Sequence, residues 1–326
     1  MRRRDFIRLA GSAAALPLAA RAQQPTMPVI GFLGPGTAEL DAYRARAFLQ
    51  GLKDSGLVEG QHFTVEYRWA EGHYNRFPAL AKDLVQRKVF MIATSGTPAA
   101  LAAKAATTTI PIVFETAADP IRLGLVTSLN RPGGNITGVT QLADQVASKR
   151  LALLHELIPT AKVIGFLVNP TAPVLAEPQT REALSAARSL GLELHVLNAS
   201  SESDFEAAFQ ELKRLRAHGL VIAGDAFFTS HSRELAKLAV QQGIPAVYQW
   251  REFAAAGGLM SYGSNIVDTH RLIGVLSGRI LKGDKPADLP VQQASKFEFL
   301  LNLKTAKALG LEIAPTLLAR VDEVIE

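Results

Sequence analysis

Val29-Ile30-Gly31-Phe32-Leu33, then Gly34-Pro35-Gly36-Thr37, then Leu40, Tyr43, Ala47, Phe48, Gly51 and Leu52 make one complete strand–turn–helix unit. Five uncharged residues read as a strand buried on both faces, and the apolar spacing that follows buries one stripe of a helix. The same pattern recurs. Val89–Ala93, Ile110–Phe114 and Ile136–Thr140 predict strands, while Phe77, Leu80, Ala81, Leu84 and Val85 mark one helix and Pro98–Thr107 another. Asp119-Pro120 predicts a further helix, with a carboxylate cap and proline at the first helical position. Phe63, Val65, Tyr67 and Trp69 alternate with polar residues, a period of two that predicts an edge or half-exposed strand.

After Arg131-Pro132-Gly133-Gly134-Asn135 and a helix opening at Asp144, the alternation begins again. Strands at Val163–Val168, Leu192–Leu197, Leu220–Ala223 and Ala246–Tyr248 are separated by helices near 176–190, 202–216 and 230–242. Leu259–Tyr262, a helix near 267–281, a strand near 290–293 and a strand–helix stretch at 297–309 close the chain. Repeated βα units imply parallel sheets covered by helices, and 326 residues suit two lobes of about 150 each. The expected fold is α/β with two doubly wound lobes. Residues 28–143 plus 257–290 form the N-lobe, and 144–256 plus 291–326 the C-lobe.

The formal charge of +5 suggests a nucleic-acid partner until its location is considered. Arg2, Arg3, Arg4, Arg8 and Arg21 stand against Asp5 alone in a stretch with an apolar run from Leu9 to Ala20 and a small-x-small Ala20-Arg21-Ala22 site. This order is that of a signal peptide over residues 1–22, and Arg3-Arg4-Asp5-Phe6-Ile7-Arg8 resembles a twin-arginine export signature. Without it the chain carries 30 Lys and Arg against 29 Asp and Glu, a net charge of +1. That leaves little counterion-release drive toward phosphate backbones, so no nucleic-acid partner is expected. The expected product is periplasmic, soluble after cleavage, without stable membrane insertion, and monomeric.

Chemistry is narrowed by what is missing. There is no cysteine, which excludes disulfides, thiolate metal sites and thiol catalysis. The seven histidines show no H-E-x-x-H spacing, and neither G-x-S-x-G nor a phosphate-loop motif occurs. No catalytic residue, metal site or cofactor is expected.

What remains are small polar residues just past the strands, where open α/β sheets place their ligands. Thr37 follows the first strand; Ser95, Gly96 and Thr97 follow the third; Thr116 lies in Glu115-Thr116-Ala117-Ala118-Asp119-Pro120. Hydroxyls and amides at a helix N-terminus suit a carboxylate, or else serve only as caps. In the second half, Asn169 ends one strand and Asp225 another, beside Phe227 and Phe228. A carboxylate there is costly to desolvate unless it meets a cation or donors. Asp225 reads either as the acceptor for a ligand ammonium group or as a helix cap. Tyr248, Trp250 and Phe253 either line the same cleft or pack at the hinge.

These residues lie in a longer likeness. Ser95-Gly96-Thr97-Pro98-Ala99-Ala100-Leu101-Ala102, Ala118-Asp119-Pro120, Gly124-Leu125-Val126 and Arg131-Pro132-Gly133-Gly134-Asn135-Ile136-Thr137-Gly138 are followed by Gly257-Gly258-Leu259-Met260-Ser261-Tyr262-Gly263 and Asn302-Leu303-Lys304-Thr305-Ala306-Lys307-Ala308-Leu309-Gly310-Leu311. In this order they resemble the tryptophan/tyrosine ABC-transporter solute-binding proteins of bacteria. The resemblance implies a type I periplasmic-binding fold, a hinge of about three crossovers and a small ligand held between the lobes. It places Thr37 and Ser95–Thr97 on one wall and Asn169 and Asp225 on the other. It further implies ABC permease subunits as partners. The alternative readings are a ligand-sensing periplasmic domain of the same fold that presents to a receptor, and an exported α/β enzyme with a motif-free active site. Asp225-Ala226 stands where amino-acid-binding members usually show Asp-Asn.

Overall fold

The computed structural model describes residues 27–141 and 144–326, so the export leader expected at 1–22 lies outside the described residues. The apolar runs pair as parallel strands. The first sheet contains β1 (Val29–Gly34), β2 (Thr64–Trp69), β3 (Met91–Thr94), β4 (Ile112–Thr116) and β5 (Ile136–Thr140). The second contains β6 (Val163–Val168), β7 (Glu193–Asn198), β8 (Gly219–Ile222), β9 (Ala246–Tyr248) and β10 (Met260–Ser264). The chain then returns to the first sheet with β11 (Gln292–Gln293) and ends in the second with β12 (Phe297–Asn302) and β13 (Glu323–Ile325).

The first sheet runs β11-β5-β4-β3-β1-β2 and is parallel throughout. The alternating strand β2 sits at its edge, where only one face needs burial. The second sheet runs β13-β12-β10-β9-β8-β6-β7, with β10 and β12 its antiparallel pair. Helices cover both faces, and apolar clusters lie on each side of each sheet. The chain passes between lobes three times: after β5, after β10 and between β11 and β12. This is the two-lobed, doubly wound α/β architecture with a three-strand hinge.

Two expectations need correction. Met260–Ser264 hydrogen-bonds beside β9 in the second sheet, so the return to the first lobe begins after residue 264, not at 257, and includes β11 beyond residue 290. Asp119-Pro120 opens a series of turns, not a helix: Asp119 Oδ1 accepts from the Ile121 amide at 2.8 Å, but no helical run follows.

One helix pair positions much of the site. Helices Ala42–Asp54 and Ile266–Leu281 cross at Gly51 and Gly274, where backbone meets backbone. A Cβ on Gly51 would collide with the Arg271 carbonyl oxygen, and one on Gly274 with that of Phe48. Glycine allows this approach, and the approach puts Arg44 and His270 on either side of Ser95.

Candidate functional site

The carboxyl ends of β3 and β4 face the loop after β8 across the interlobe cleft. Its wall combines Arg44, Tyr74, Gly96, Thr97 and Glu115 from the first lobe with Leu175, Asp225, Ala226 and Trp250 from the second. The lobes are closed on one another, and the cavity between them measures about 20 Å³. That is room for about one water, so any larger guest requires the lobes to part.

Asp225 is where the lobes meet. It caps the short helix Ala226–Ser230 by accepting from the Phe227 amide at 2.8 Å. The same oxygen, Oδ1, accepts from the Tyr74 hydroxyl at 2.6 Å and from Asn169 Nδ2 at 3.3 Å. The Phe227 amide also donates to the Tyr74 hydroxyl, at 3.0 Å. The three bonds that Asp225 accepts with its side chain all fall on Oδ1, and among the described residues Oδ2 makes none. Burial pushes the carboxyl above its ordinary range, against the pull of Tyr74, Phe227 N–H and Asn169. A cap and a cleft-lining acid are here one residue.

The loop after β3 is built from matched donors and acceptors. Gly96, at φ +92°, aims its amide at Glu115 Oε2, 2.6 Å away. Thr97 Oγ1 lies 2.8 Å from Thr116 Oγ1 and accepts from the Ala117 amide at 3.2 Å. Its side chain therefore ties β3 to β4 and does not cap the helix Thr97–Ala106, whose N-cap is Gly96. Ser95 Oγ lies 2.9 Å from His270 Nε2 and accepts from Arg44 Nη1 at 3.4 Å. The Ile266 carbonyl, 2.9 Å from His270 Nδ1, must be met by a proton there, so neutral His270 accepts from Ser95.

Three titratable groups in this lobe are strongly conditioned by burial. Burial pushes Glu115 up to about 7, while Arg44 and the Gly96 amide oppose it. Burial and the Arg44 charge push His270 down to about 3. Burial also works against the Arg44 charge, but Tyr43, Asp41 and Glu252 outweigh it and shift the guanidinium upward.

Of the residues singled out in the sequence, Gly96, Thr97 and Asp225 line the cavity. Ser95, Thr116 and Asn169 are buried directly behind it and hold its lining residues. Thr37 is half-buried outside that wall, its Oγ1 accepting from the Leu40 amide. Tyr248 is fully buried, stacked on Phe253 with centroids 4.5 Å apart, and belongs to the second-lobe core. Trp250 reaches the cleft, whereas Phe253 stays in the core. Sequence reasoning missed Arg44 and Tyr74. Arg44 had a legible signal, an arginine close to the apolar stripe of a helix, but the Tyr74 stretch Gly72-His73-Tyr74-Asn75 carries none.

Two lobes, a three-strand hinge and a lined interlobe cleft define a type I periplasmic-binding-protein architecture. The chain aligns over 91% of its length, and 99% of the other chain, with a conserved domain protein from Vibrio cholerae, at 25% identity and a TM-score of 0.84. An ABC domain from Streptococcus pneumonia in complex with L-Trp gives the same coverage at 24% identity and a TM-score of 0.83. A curated relative, a tyrosine-binding protein of Clostridioides difficile, is 28% identical over 267 residues, 82% of this chain and 76% of that protein. The family of ABC transporter substrate binding proteins matches residues 39–325, and the chain belongs to it.

Proposed function

We propose that the protein is an exported, periplasmic solute-binding component of an ABC import system, with an aromatic amino acid or a related small aromatic carboxylate as its ligand. The observation that carries this is the composition of the cleft wall. A buried cation, Arg44, comes from one lobe and a buried carboxylate, Asp225, from the other, with Tyr74 and Trp250 beside them. Opposite charges on opposite walls suit a zwitterion, and the aromatic rings suit an apolar side chain. The tyrosine-binding relative and the L-Trp complex support the same ligand class. Binding is by hinge closure: contacts to both walls exist together only when the lobes meet, so ligand shifts the population toward the closed form. The closed form is what the membrane permease receives, and no bond is made or broken.

Thermal unfolding with a panel of amino acids, aromatic acids and other small carboxylates tests this. A ligand present at a hundredfold its Kd should stabilise the fold by about 2.7 kcal/mol, with the largest shift from an aromatic acid. A panel that leaves the melting temperature unmoved rules the reading out.

A further inference from the structure

The donors first suspected of holding a carboxylate are occupied within the protein. The Gly96 amide serves Glu115, the Ser95 hydroxyl serves His270, and Thr97 is bonded to Thr116 and the Ala117 amide. Arg44 is different. Its Nε–H donates to the Tyr43 hydroxyl at 2.7 Å and lies 3.5 Å from Asp41 Oδ1. Nη1 reaches Ser95 at 3.4 Å, and Nη2 makes no hydrogen bond among the described residues. A guanidinium has five N–H donors, so at least three make no hydrogen bond among the described residues, although the residue is only 3% exposed.

A second donor stands beside it. Trp250, from the other lobe, lines the same cavity and is 93% buried, and its indole N–H has no partner among the described residues. The Arg44 guanidinium carbon lies 6.0 Å from the centroid of its ring. A buried donor left unpaired is costly, and here the Trp250 indole N–H borders one cavity with a guanidinium whose Nη2 is also without a hydrogen bond among the described residues. The carboxylates already present do not answer them. Asp41 lies by the Nε edge, its other oxygen accepting from the Gly36 amide, while Glu115 and Glu252 act on the guanidinium through their charge and neither is within ion-pair distance of it. An incoming carboxylate has two oxygens and about four acceptor sites, enough to take the Nη edge of Arg44 and the indole N–H together.

We propose that Arg44 and the Trp250 indole N–H form the carboxylate-binding fork of the interlobe site, so that the protein selects acids and rejects the corresponding amines. This rests on the reading of the cleft as a carboxylate site. Because the fork draws one donor from each lobe, it is complete only on closure. The free Oδ2 of Asp225 is then left for an amine or hydroxyl at the other end of the guest.

Calorimetric titration of three probes tests it: L-tyrosine, 3-(4-hydroxyphenyl)propionate, which lacks the amine, and tyramine, which lacks the carboxylate. The native protein should bind L-tyrosine at least a hundredfold more tightly than tyramine. Arg44→Gln should abolish that preference by weakening the acid and not the amine, Arg44→Lys should restore part of it, and Trp250→Phe should weaken the acids about tenfold. Unchanged L-tyrosine affinity in Arg44→Gln, with the circular dichroism spectrum intact, overturns the fork and leaves the amino-acid reading standing. Binding of the propionate that Arg44→Gln removes, with L-tyrosine ignored, upholds the fork and overturns the amino-acid ligand. If Arg44→Gln does not fold, an undiminished preference for L-tyrosine over tyramine in Arg44→Lys overturns the fork. Silence of all three probes against the native protein overturns both.

Discussion

Glu115 and Asp225 carry the same signal in the sequence, a carboxylate just past an apolar strand, and both prove to be buried cleft-lining acids. For Glu115 the consequence can be measured. Its carboxyl titrates at about 7 in the fold against 4.5 in its absence, so the folded state holds a proton that the unfolded chain gives up. The associated stability is complete below pH 4.5 and is lost as pH rises through 7. Arg44 and Asp41 are the charged groups that act on it; His270, pushed down to about 3, favours the opposite trend in the native protein and the variant alike. Glu115→Gln retains an oxygen for the Gly96 amide but has no proton to lose. Its melting temperature relative to the native protein should therefore climb between pH 4.5 and 7.5, and a difference that stays flat would count against a raised Glu115. Arg44 was harder to see. Arginine near the apolar stripe of a helix usually extends its charge to water, and here the crossing helix closes over it.

Elements were legible wherever apolar periodicity was uninterrupted, as in β1, β6, β8 and the helices around them. They were illegible where a strand changed sheets. Leu259–Tyr262 has a strand composition in either lobe, and only its pairing with Val247 and Tyr248 of β9 assigns it to the second. At Asp119-Pro120 the N-terminal signal was present but no apolar repeat followed, so Asp119 caps a turn and the chain leaves as a loop. The crossing of Ala42–Asp54 with Ile266–Leu281 depends on two glycines some 220 residues apart in sequence. Gly51→Ala raises helix propensity by about 1 kcal/mol yet pushes a methyl group into the Arg271 carbonyl, which cannot rotate away. We expect a net loss of about 2 kcal/mol in urea unfolding; an unchanged midpoint would mean the two helices separate freely.

At the scale of the whole molecule, closure is held by a small apolar seam and a hydrogen-bonded clamp. Ala117 and Ala118 of one lobe pack with Ala172 and Leu175 of the other, Tyr74 lies against this seam, and its hydroxyl bridges to Asp225 and Phe227. A hydrogen bond to a charged group contributes about 1.5–3 kcal/mol, so removing it should shift the closed-to-open ratio by roughly tenfold or more. Tyr74→Phe should accordingly give a larger radius of gyration in solution scattering than the native protein. Identical scattering curves would show that the seam alone keeps the lobes together. The alternation of short apolar runs with amphipathic helices determined the two α/β lobes, because burial of a strand on both faces and of a helix on one depends on local residue order. Which strands share a sheet, where the hinge passes, and that Arg44, Tyr74 and Trp250 meet Asp225 were decided only by the tertiary structure. Those contacts join residues from 25 to more than 200 positions apart, and no local pattern encodes which distant surfaces will exclude water together.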